Sequence, residues 1–267
     1  ECFLCPRHCR LKNGKRGVCR VRTNIEGSLF SEVYGKPIAI HVDPIEKKPL
    51  YHFQPGSRIF SIGTAGCNLQ CEFCQNWDIS TADGHLGMGR IVQPAEIVQS
   101  AIDNQCGSIA FTYNEPTIFG EYVVDIAKLA RQSNLKTVTV TNGYITQEAI
   151  ADIYPLIDAA NIDLKSMNAD FYRKRCHAEL TPVLEAIVAI QKVGTFIELT
   201  TLLIPGLNDS EGEIQKLCDW ILDNLGNDTP LHFSAFHPAY KMSNWPQTAK
   251  EILDRARKIA LRTGLHY

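Results

Sequence analysis

Three closely spaced cysteines, Cys67, Cys71 and Cys74, decide the fold of this chain, and they lie in the run GCNLQCEFCQNW at residues 66–77. Cysteine thiolates are the usual protein ligands of a four-iron cluster. Three thiolates hold three irons, so one iron stays open to bind a further molecule, whereas a fully ligated cluster only passes electrons. The alternative is a zinc site that borrows a fourth ligand from elsewhere, because structural zinc sites are closed and four-coordinate.

The segments around the cysteine run alternate between strand and helix patterns. Residues 59–63 are mostly apolar, so the cysteine loop is predicted to follow a strand. Five more strands are predicted at 108–113, 137–141, 161–165, 196–204 and 231–236. Helical periodicity lies between them, near 94–102, 119–132, 146–157, 182–193, 210–224 and 247–262. Six such units predict an α/β fold with a parallel sheet, closed or partly closed into a barrel.

The most reactive side chains follow the predicted strands. In barrels of this kind the ligand site lies at the carboxyl ends of the strands. The runs at these ends are Cys67 to Cys74, Asn114-Glu115-Pro116, Thr141-Asn142-Gly143, Asp163-Leu164-Lys165, Pro205-Gly206 and His237-Pro238. Because these ends meet at one edge of the sheet, the sequence predicts a single site there.

Residues 1–56 are predicted to form a separate Cys-rich, metal-binding module, and residues 57–267 the barrel domain. The module carries four cysteines with short gaps, Cys2, Cys5, Cys9 and Cys19. Four thiolates form a closed set, which suits either structural zinc or a second iron–sulfur cluster. His8 is an alternative ligand.

Composition narrows the class of protein. The 267 residues suit one barrel-type domain, and 27 basic residues face 29 acidic ones without a long basic run, so no nucleic-acid partner is expected. The apolar stretches are too short to span a bilayer.

The grouping of the ten cysteines suits metal ligation in a reducing cytoplasm better than disulfides. Cys106, Cys176 and Cys218 are predicted to be small buried apolar residues. We expect that both ends are trimmed, because the chain starts at Glu1 without Met.

The cysteine run, with the aromatic Phe73 before its last cysteine, resembles the radical S-adenosylmethionine (SAM) superfamily. The resemblance extends over residues 58–267 and implies a partial (β/α)6 barrel. It also implies that Cys67, Cys71 and Cys74 are the catalytic ligands of a [4Fe-4S] cluster whose open iron is chelated by SAM. One electron, from a donor such as ferredoxin or flavodoxin, then cleaves SAM to methionine and a 5′-deoxyadenosyl radical, which takes hydrogen from the substrate.

The resemblance assigns SAM contacts at the second and third strand ends. Many family members have Gly-Gly-Glu-Pro where this chain has Tyr113-Asn114-Glu115-Pro116, and the Glu receives the SAM amino group. We therefore predict cofactor contacts for Asn114 and Glu115; the alternative for Glu115 is that it only complements a helix dipole. Thr141 is predicted to reach the ribose or the methionine carboxylate, although polar turns are common at such positions.

Further SAM contacts are predicted at later strand ends. Asp163 and Lys165, two residues apart, share one sheet face. Their run resembles that of pyruvate formate-lyase activating enzyme, in which both contact SAM; the alternative is a solvated ion pair. His237 resembles a cofactor-contacting histidine of the same enzyme, or is merely a polar surface residue. Phe73 is predicted to pack on the adenine.

Within the superfamily, the chain is most similar to the pyruvate formate-lyase activating enzyme-like branch, and in particular to the radical SAM enzyme of the AmmeMemoRadiSam system. The runs that carry this resemblance are PIEKKPLYHF at 44–53, TAGCNL at 64–69, CQNWDIS at 74–80 and YNEPT at 113–117. We expect radical chemistry on a small molecule or a partner protein. One alternative is a glycyl-radical enzyme activase. The non-enzyme alternative is an electron-transfer or zinc-stabilised binding protein.

Overall fold

A seven-stranded sheet forms the centre of the molecule. A computed structural model describes residues 1–84 and 90–267 of the chain. The strands in this part are β1 (Arg22–Ile25), β2 (Ser28–Ser31), β3 (Ala39–Pro44), β4 (Arg58–Gly63), β5 (Ser108–Phe111), β6 (Lys136–Thr141), β7 (Ala159–Asp163), β8 (Phe196–Leu203) and β9 (Leu231–Ala235). The central sheet follows chain order from β3 to β9. Strands β4 to β9 are all parallel to their neighbours.

Helices follow the parallel strands. They are α1 (Trp77–Ser80), α2 (Pro94–Asp103), α3 (Gly120–Gln132), α4 (Gln147–Ile153), α5 (Ala169–Phe171), α6 (Thr181–Val193), α7 (Glu211–Leu225) and α8 (Lys250–Thr263). Single 3₁₀ turns lie at Ile45–Lys47, Pro116–Phe119, Tyr154–Leu156 and Tyr240–Met242, and a π-helical turn at Tyr172–Cys176. Six parallel strands with an open edge at β9 confirm the predicted partial (β/α)6 barrel. None of the helices in the described ranges is long and apolar enough to cross a membrane.

The sequence explains where the helices begin and which face they bury. Gln93 precedes α2, and its side chain and that of Glu96 form a capping box at the first turn. Ser210 accepts a hydrogen bond from the backbone N–H of Glu213 and so caps α7. Buried residues of α7 recur at helical spacing: Ile214, Leu217, Cys218 and Ile221. This apolar stripe holds the helix against the sheet.

The predicted N-terminal module contributes a strand to the central sheet. Strand β3 pairs antiparallel with β4 over six residue pairs, from Ala39 with Gly63 to Pro44 with Arg58. The smaller β1–β2 hairpin stays outside that sheet. Arg22, in this hairpin, is buried and donates to the carbonyl of Ile118 and to the carboxylate of Glu121. A domain boundary at residue 56 therefore stays a prediction. Strand β3 belongs to the central sheet together with the barrel strands.

A plug segment, residues 45–56, fills the amino end of the barrel between β3 and β4. Its apolar side chains Ile45, Leu50 and Phe53 pack against residues near the starts of the strands. These are Ile59, Ala110, Val138 and Ala159. This apolar packing fills the amino end of the barrel beneath the strands.

Candidate active site

A cavity of about 500 Å³ opens at the carboxyl ends of the parallel strands. Nine of the predicted site residues line it: Cys67, Cys71, Phe73, Cys74, Asn114, Thr141, Asp163, Lys165 and His237. Because they come from the loop after β4 and from the ends of four further strands, the fold concentrates them as the strand pattern predicts. Glu115 and the four N-terminal cysteines lie outside this lining.

The cysteine loop follows β4 and makes a tight turn at Gly66. The φ of Gly66 is +86°, and a Cβ on this residue would lie 2.4 Å from the carbonyl oxygen of Cys19. Its N–H donates to the carbonyl of Ile79 over 2.9 Å. A side chain at this position would meet both a left-handed backbone and a backbone clash. Glycine thus allows the cysteine loop to fold against the N-terminal module.

The three cysteines of the loop are partly buried, and the sulfur of Cys67 accepts two weak hydrogen bonds. The N–H of Leu69 lies 3.4 Å from Cys67 Sγ, and Asn142 Nδ2 lies 3.7 Å from the same sulfur. Burial, followed by the nearby Glu115 and Cys71, raises the pKa of the Cys67 thiol well above its ordinary value. Burial also raises the pKa of Cys74. A bound metal reverses this tendency because a coordinating thiol is deprotonated outright.

The three thiols of the loop are the donor set that a multi-iron cluster uses. In the described part of the chain, the sulfurs of Cys67, Cys71 and Cys74 do not all lie within 4.8 Å of one another. A tetrahedral zinc site with Zn–S bonds of ~2.3 Å would hold sulfurs roughly 3.8 Å apart. The thiols would have to move together to hold one zinc ion, whereas their number, three, matches a four-iron cluster with one open iron.

Cys176 lies beside the cysteine loop, which sequence reasoning missed. The Cys176 thiol hydrogen-bonds Cys71 and lowers the pKa of Cys71, and burial raises its own pKa. Backbone bonds join the two segments: Gln70 N–H to Cys176 O over 3.1 Å, and Glu72 N–H to Arg175 O over 2.9 Å. The π-helical turn Tyr172–Cys176 ends at His177 with φ 53°. In the sequence Cys176 is an isolated cysteine about a hundred residues after Cys71. Nothing in the spacing therefore indicates that the two residues are in contact.

Lys165 carries a positive charge to the cavity beside the thiols. Its Nζ lies 2.9 Å from Asp163 Oδ2 and 5.9 Å from the centre of the Phe73 ring. The Lys165 side chain is 13% exposed and that of Asp163 37%. Burial alone would lower the pKa of Lys165, but Asp163 and the thiols of Cys71 and Cys176 hold it well above its usual value. The shared face predicted for the pair is present, and the lysine is largely withdrawn from solvent.

Glu115 is enclosed behind the cavity wall. Its carboxylate is fully buried and accepts four protein hydrogen bonds, from the N–H and hydroxyl of Thr117, the hydroxyl of Thr141 and the N–H of Asn142. Burial nevertheless raises its pKa. The side chain thus ties β6 to the turn after β5, and it also caps the 3₁₀ turn Pro116–Phe119. Its contact with the SAM amino group stays a prediction.

Tyr113 and Asn114, which stand where many family members have glycines, brace the cavity instead. Tyr113 has φ +71°, a conformation that glycine adopts freely and that costs other residues about 1–2 kcal/mol. Its hydroxyl donates to Asp43 Oδ2 over 2.8 Å. Lys48 Nζ also lies 2.7 Å from that oxygen. Asn114 Nδ2 donates to the carbonyl of Gly66 over 2.9 Å, which holds the cysteine loop.

His237 and Phe73 differ in their exposure to solvent. His237 is exposed at the mouth of the cavity, where its Nδ1 lies 3.4 Å from Gln75 Nε2. Phe73 is 3% exposed, and its ring centre lies 5.7 Å from that of Phe171. Phe73 therefore belongs largely to the core under the cysteine loop, whereas His237 is accessible from solvent.

The four N-terminal cysteines come together on the back of the cysteine loop. Burial raises the pKa of Cys5 to about 12, and the proximity of Cys2, Cys19 and Cys9 adds to this. His8 Nδ1 lies 3.9 Å from a carboxylate oxygen of Glu1, and its role as an alternative ligand stays a prediction. The four thiols form a closed donor set, and their assignment to structural zinc or to a second cluster stays a prediction.

The N-terminal module contacts the cysteine loop through Arg7. Its Nε donates to the carbonyl of Asn68 over 2.6 Å, and its guanidinium also donates to the carbonyl of His177 over 2.5 Å. Arg7 therefore joins the module both to the loop of Cys67 and to the end of the π-helical turn.

Fold and site together define a parallel α/β barrel with a three-cysteine cluster site at its mouth. The chain matches the model of the radical SAM superfamily over residues 61–220, more than half of its length. An uncharacterised protein of Methanocaldococcus jannaschii is 44% identical over all 267 residues, which cover 79% of that relative. The chain belongs to the radical SAM superfamily. The family's [4Fe-4S] cluster and SAM are its cofactors, and the chain is an enzyme.

More distant relatives point to one branch. Pyruvate formate-lyase-activating enzyme of Clostridium pasteurianum is 24% identical over 178 residues, covering 64% of this chain and 72% of that protein. Among solved structures, a radical SAM methyltransferase from Sphaerobacter thermophilus superposes with a TM-score of 0.60 at 17% identity, covering 80% of this chain and 66% of the other. At this identity the structural similarity supports the fold alone.

Proposed function

We propose that the chain uses reductive SAM cleavage to abstract hydrogen from a small molecule or a partner protein. The observation that carries the proposal is the meeting of Cys67, Cys71 and Cys74 with the buried Lys165 in one cavity at the strand ends. When bound, the cluster and SAM supply a 5′-deoxyadenosyl radical by one-electron cleavage of the sulfonium bond. The barrel wall then excludes water from that reaction.

Side chains of the cavity would hold SAM, each in a role that its position supports. The Lys165 ammonium suits the carboxylate of the methionine part, and Asp163 keeps that ammonium oriented. Thr141 and Asn114 present polar atoms to the cavity, and His237 lies at the mouth. In our proposal the Glu115 carboxylate holds Thr141 and Asn142 in position through hydrogen bonds. It also accepts a hydrogen bond from the SAM amino group. Phe73 supports the loop from below and borders the adenine.

We propose membership of the AmmeMemoRadiSam group within the activase-like branch, on the runs quoted above. The four N-terminal cysteines hold a second metal centre in this proposal, zinc or an auxiliary cluster, within a module of residues 1–56. An electron donor such as ferredoxin or flavodoxin would reduce the catalytic cluster in a reducing cytoplasm.

A glycyl-radical enzyme activase is the second candidate. The relatives named as activating enzymes favour it, among them 4-hydroxyphenylacetate decarboxylase activating enzyme of Clostridium scatologenes, 27% identical over 148 residues. The Cys-rich N-terminus and the Tyr113-Asn114 pair depart from the single-domain activase. A small-molecule or other protein substrate is therefore our first choice.

SAM cleavage by the anaerobically reconstituted protein tests the proposal. We expect 5′-deoxyadenosine from the wild type under reducing conditions, and none above background from Cys71→Ala, because that variant loses a cluster ligand. Cys218→Ala is the control, since it removes a thiol of α7 that lies in the core and outside the cavity lining. Cleavage that persists in folded Cys71→Ala would refute the ligand assignment. A wild type that holds four irons per cluster yet forms no product would favour the electron-transfer alternative.

A further inference from the structure

Two histidines and a carboxylate meet at the amino end of the barrel, opposite to the cysteine cavity. His52 lies in the plug segment, Glu198 near the start of β8 and His232 near the start of β9. In the strand register, Thr200 pairs with His232, so Glu198 and His232 point to the same face of the sheet. One ligand atom of each of the three residues lies within 4.8 Å of the other two.

We propose that His52 Nδ1, His232 Nε2 and Glu198 Oε2 bind a zinc ion that fastens the plug segment to β8 and β9. Zinc bound tetrahedrally at 2.0–2.1 Å keeps its N and O ligands roughly 3.3 Å apart. The separation of His52 Nδ1 from Glu198 Oε2 is 3.4 Å, which fits. His232 Nε2 lies 2.6 Å from the same oxygen. When zinc replaces the proton between His232 Nε2 and Glu198 Oε2, these two atoms have to move apart by about 0.7 Å.

The carboxylate of Glu198 needs a positive partner. Its side chain is 0% exposed. The backbone N–H groups of Tyr51 and His52 donate to this carboxylate, and His232 Nε2 lies 2.6 Å from it. Within the described residues, its ion-pair partners are the two histidines, which carry charge only when protonated. Buried charges in proteins are paired or coordinate metals, and a divalent ion would meet this need.

The backbone of the plug segment orients the carboxylate. The N–H groups of Tyr51, His52 and Phe53 donate to Glu198 over 3.0, 2.9 and 3.1 Å. Hydrogen bonds of this kind fix the direction of a metal ligand and are worth about 10–100-fold in metal affinity. The carboxylate is thus held in place before any ion binds, and the two imidazoles are the groups that adjust.

The site has an entry path and room for a further ligand. The His52 side chain is 36% exposed and that of His232 is 18% exposed. A cavity of about 470 Å³ borders His232, Tyr51 and Tyr267. Three protein ligands leave one position of a tetrahedral zinc ion open, and water from this cavity can fill it.

Zinc stoichiometry tests the proposal on the full chain with its cysteine sites loaded. After equilibrium dialysis against zinc, we expect His52→Gln and His232→Gln each to hold one zinc fewer per chain than the wild type. His266→Gln is the matched control, because its Nδ1 pairs with Asp228 at 2.8 Å, outside the three-residue group. The control should retain the zinc. Equal zinc content in the wild type and in both variants would overturn the proposal.

Two measurements keep the test decisive if a variant folds poorly. Zinc should raise the melting temperature of the wild type and of His266→Gln, but not that of His52→Gln, whose half-exposed side chain is tolerant of change. Added Co²⁺ should give the wild type visible ligand-field bands without new thiolate charge-transfer absorbance. A wild type that shows only thiolate bands, or no bands at all, contradicts the site.

Discussion

Cys176 is not one of the three predicted cluster ligands, but it contacts one of them and can thereby affect the reduction potential of the cluster. Its thiol touches Cys71 from a π-helical turn, a conformation that is rare and often marks functional positions. Hydrogen bonds to the sulfurs are among the factors that set the potential of iron–sulfur clusters. Cys176 is buried in the core, as predicted, and its thiol is also placed to adjust the ease of reduction.

Replacing Cys176 by Ala should make the cluster harder to reduce. Loss of the S–H donor leaves more negative charge on Cys71, so the midpoint potential falls while the iron content stays at the wild-type level. Anaerobic redox titration followed by electron paramagnetic resonance (EPR) measures the potential. Cys218→Ala, which also removes a fully buried thiol, should leave it unchanged. Equal shifts in both variants would indicate a general packing effect and contradict the specific role.

At the scale of elements, contacts on two sides hold the cysteine loop in place. Gly66 lets the loop pack against Cys19, and Asn114 bonds the carbonyl of Gly66 from the end of β5. The π-helical turn supports the other side of the loop through the carbonyls of Arg175 and Cys176. A loop fixed on both sides presents its three thiols in one arrangement, which lowers the cost of assembling a cluster.

Replacing Gly66 by Ala should disrupt the loop, and Gly206→Ala provides the comparison. Both glycines have positive φ, +86° and +75°, but a Cβ on Gly206 would meet nothing within 4 Å. Gly206→Ala should therefore lower the free energy of unfolding by only about 1–2 kcal/mol, the backbone cost. Gly66→Ala adds the clash with Cys19, so we expect a larger loss and reduced iron content. Urea unfolding and iron analysis check this, and equal losses in the two variants would contradict the account.

The floor of the cavity depends on a buried ion pair between the plug segment and β3. The Asp43 side chain is 8% exposed and that of Lys48 3%, and their charged atoms lie 2.7 Å apart. Despite burial, the hydrogen bonds of Lys48 and Tyr113 hold the pKa of Asp43 well below its ordinary value. The folded state therefore gains from the ionised carboxylate above the usual Asp pKa and loses that gain as the pH falls through the lowered value.

Replacing Lys48 by Met should lower the free energy of unfolding by about 3–5 kcal/mol, because Asp43 is left as an uncompensated buried charge. Lys47→Met is the matched control. Lys47 contacts the same carboxylate at 3.4 Å, but its side chain is 68% exposed, so the expected change is within about 1 kcal/mol. Denaturant unfolding at neutral pH measures both. Similar losses in the two variants would show that burial does not determine the strength of this pair.

At the scale of the whole molecule, the pattern of alternating elements was enough to predict the barrel. Each parallel strand is a short, mostly buried run, and each is followed by an amphipathic helix, so periodicity identified both. Strand β3 was harder, because the antiparallel partner of β4 precedes the first βα unit and its pairing with β4 is fixed by tertiary contacts. The plug segment likewise shows no periodicity, since apart from the turn Ile45–Lys47 it forms neither helix nor strand.

Site residues at the carboxyl ends of the strands could be predicted from the sequence, because ligand sites of such barrels lie there. Site residues that depend on packing between distant segments could not. Cys67, Lys165 and His237 lie at strand ends or just after them, so the rule located them. The enclosure of Glu115 could not be predicted, because it depends on donors from β6 and from its own turn. The contact of Cys176 with Cys71 and the group of His52, Glu198 and His232 each join distant parts of the chain, and no spacing in the sequence indicates them.

The EPR spectrum of the reduced, anaerobically reconstituted protein, recorded before and after addition of SAM, tests the central claim most directly. An open iron beside Lys165 predicts a [4Fe-4S] signal whose shape changes when SAM binds, because the cofactor then ligates the cluster. A signal that SAM leaves unchanged, or a preparation that holds zinc in place of iron at Cys67, Cys71 and Cys74, would contradict the account.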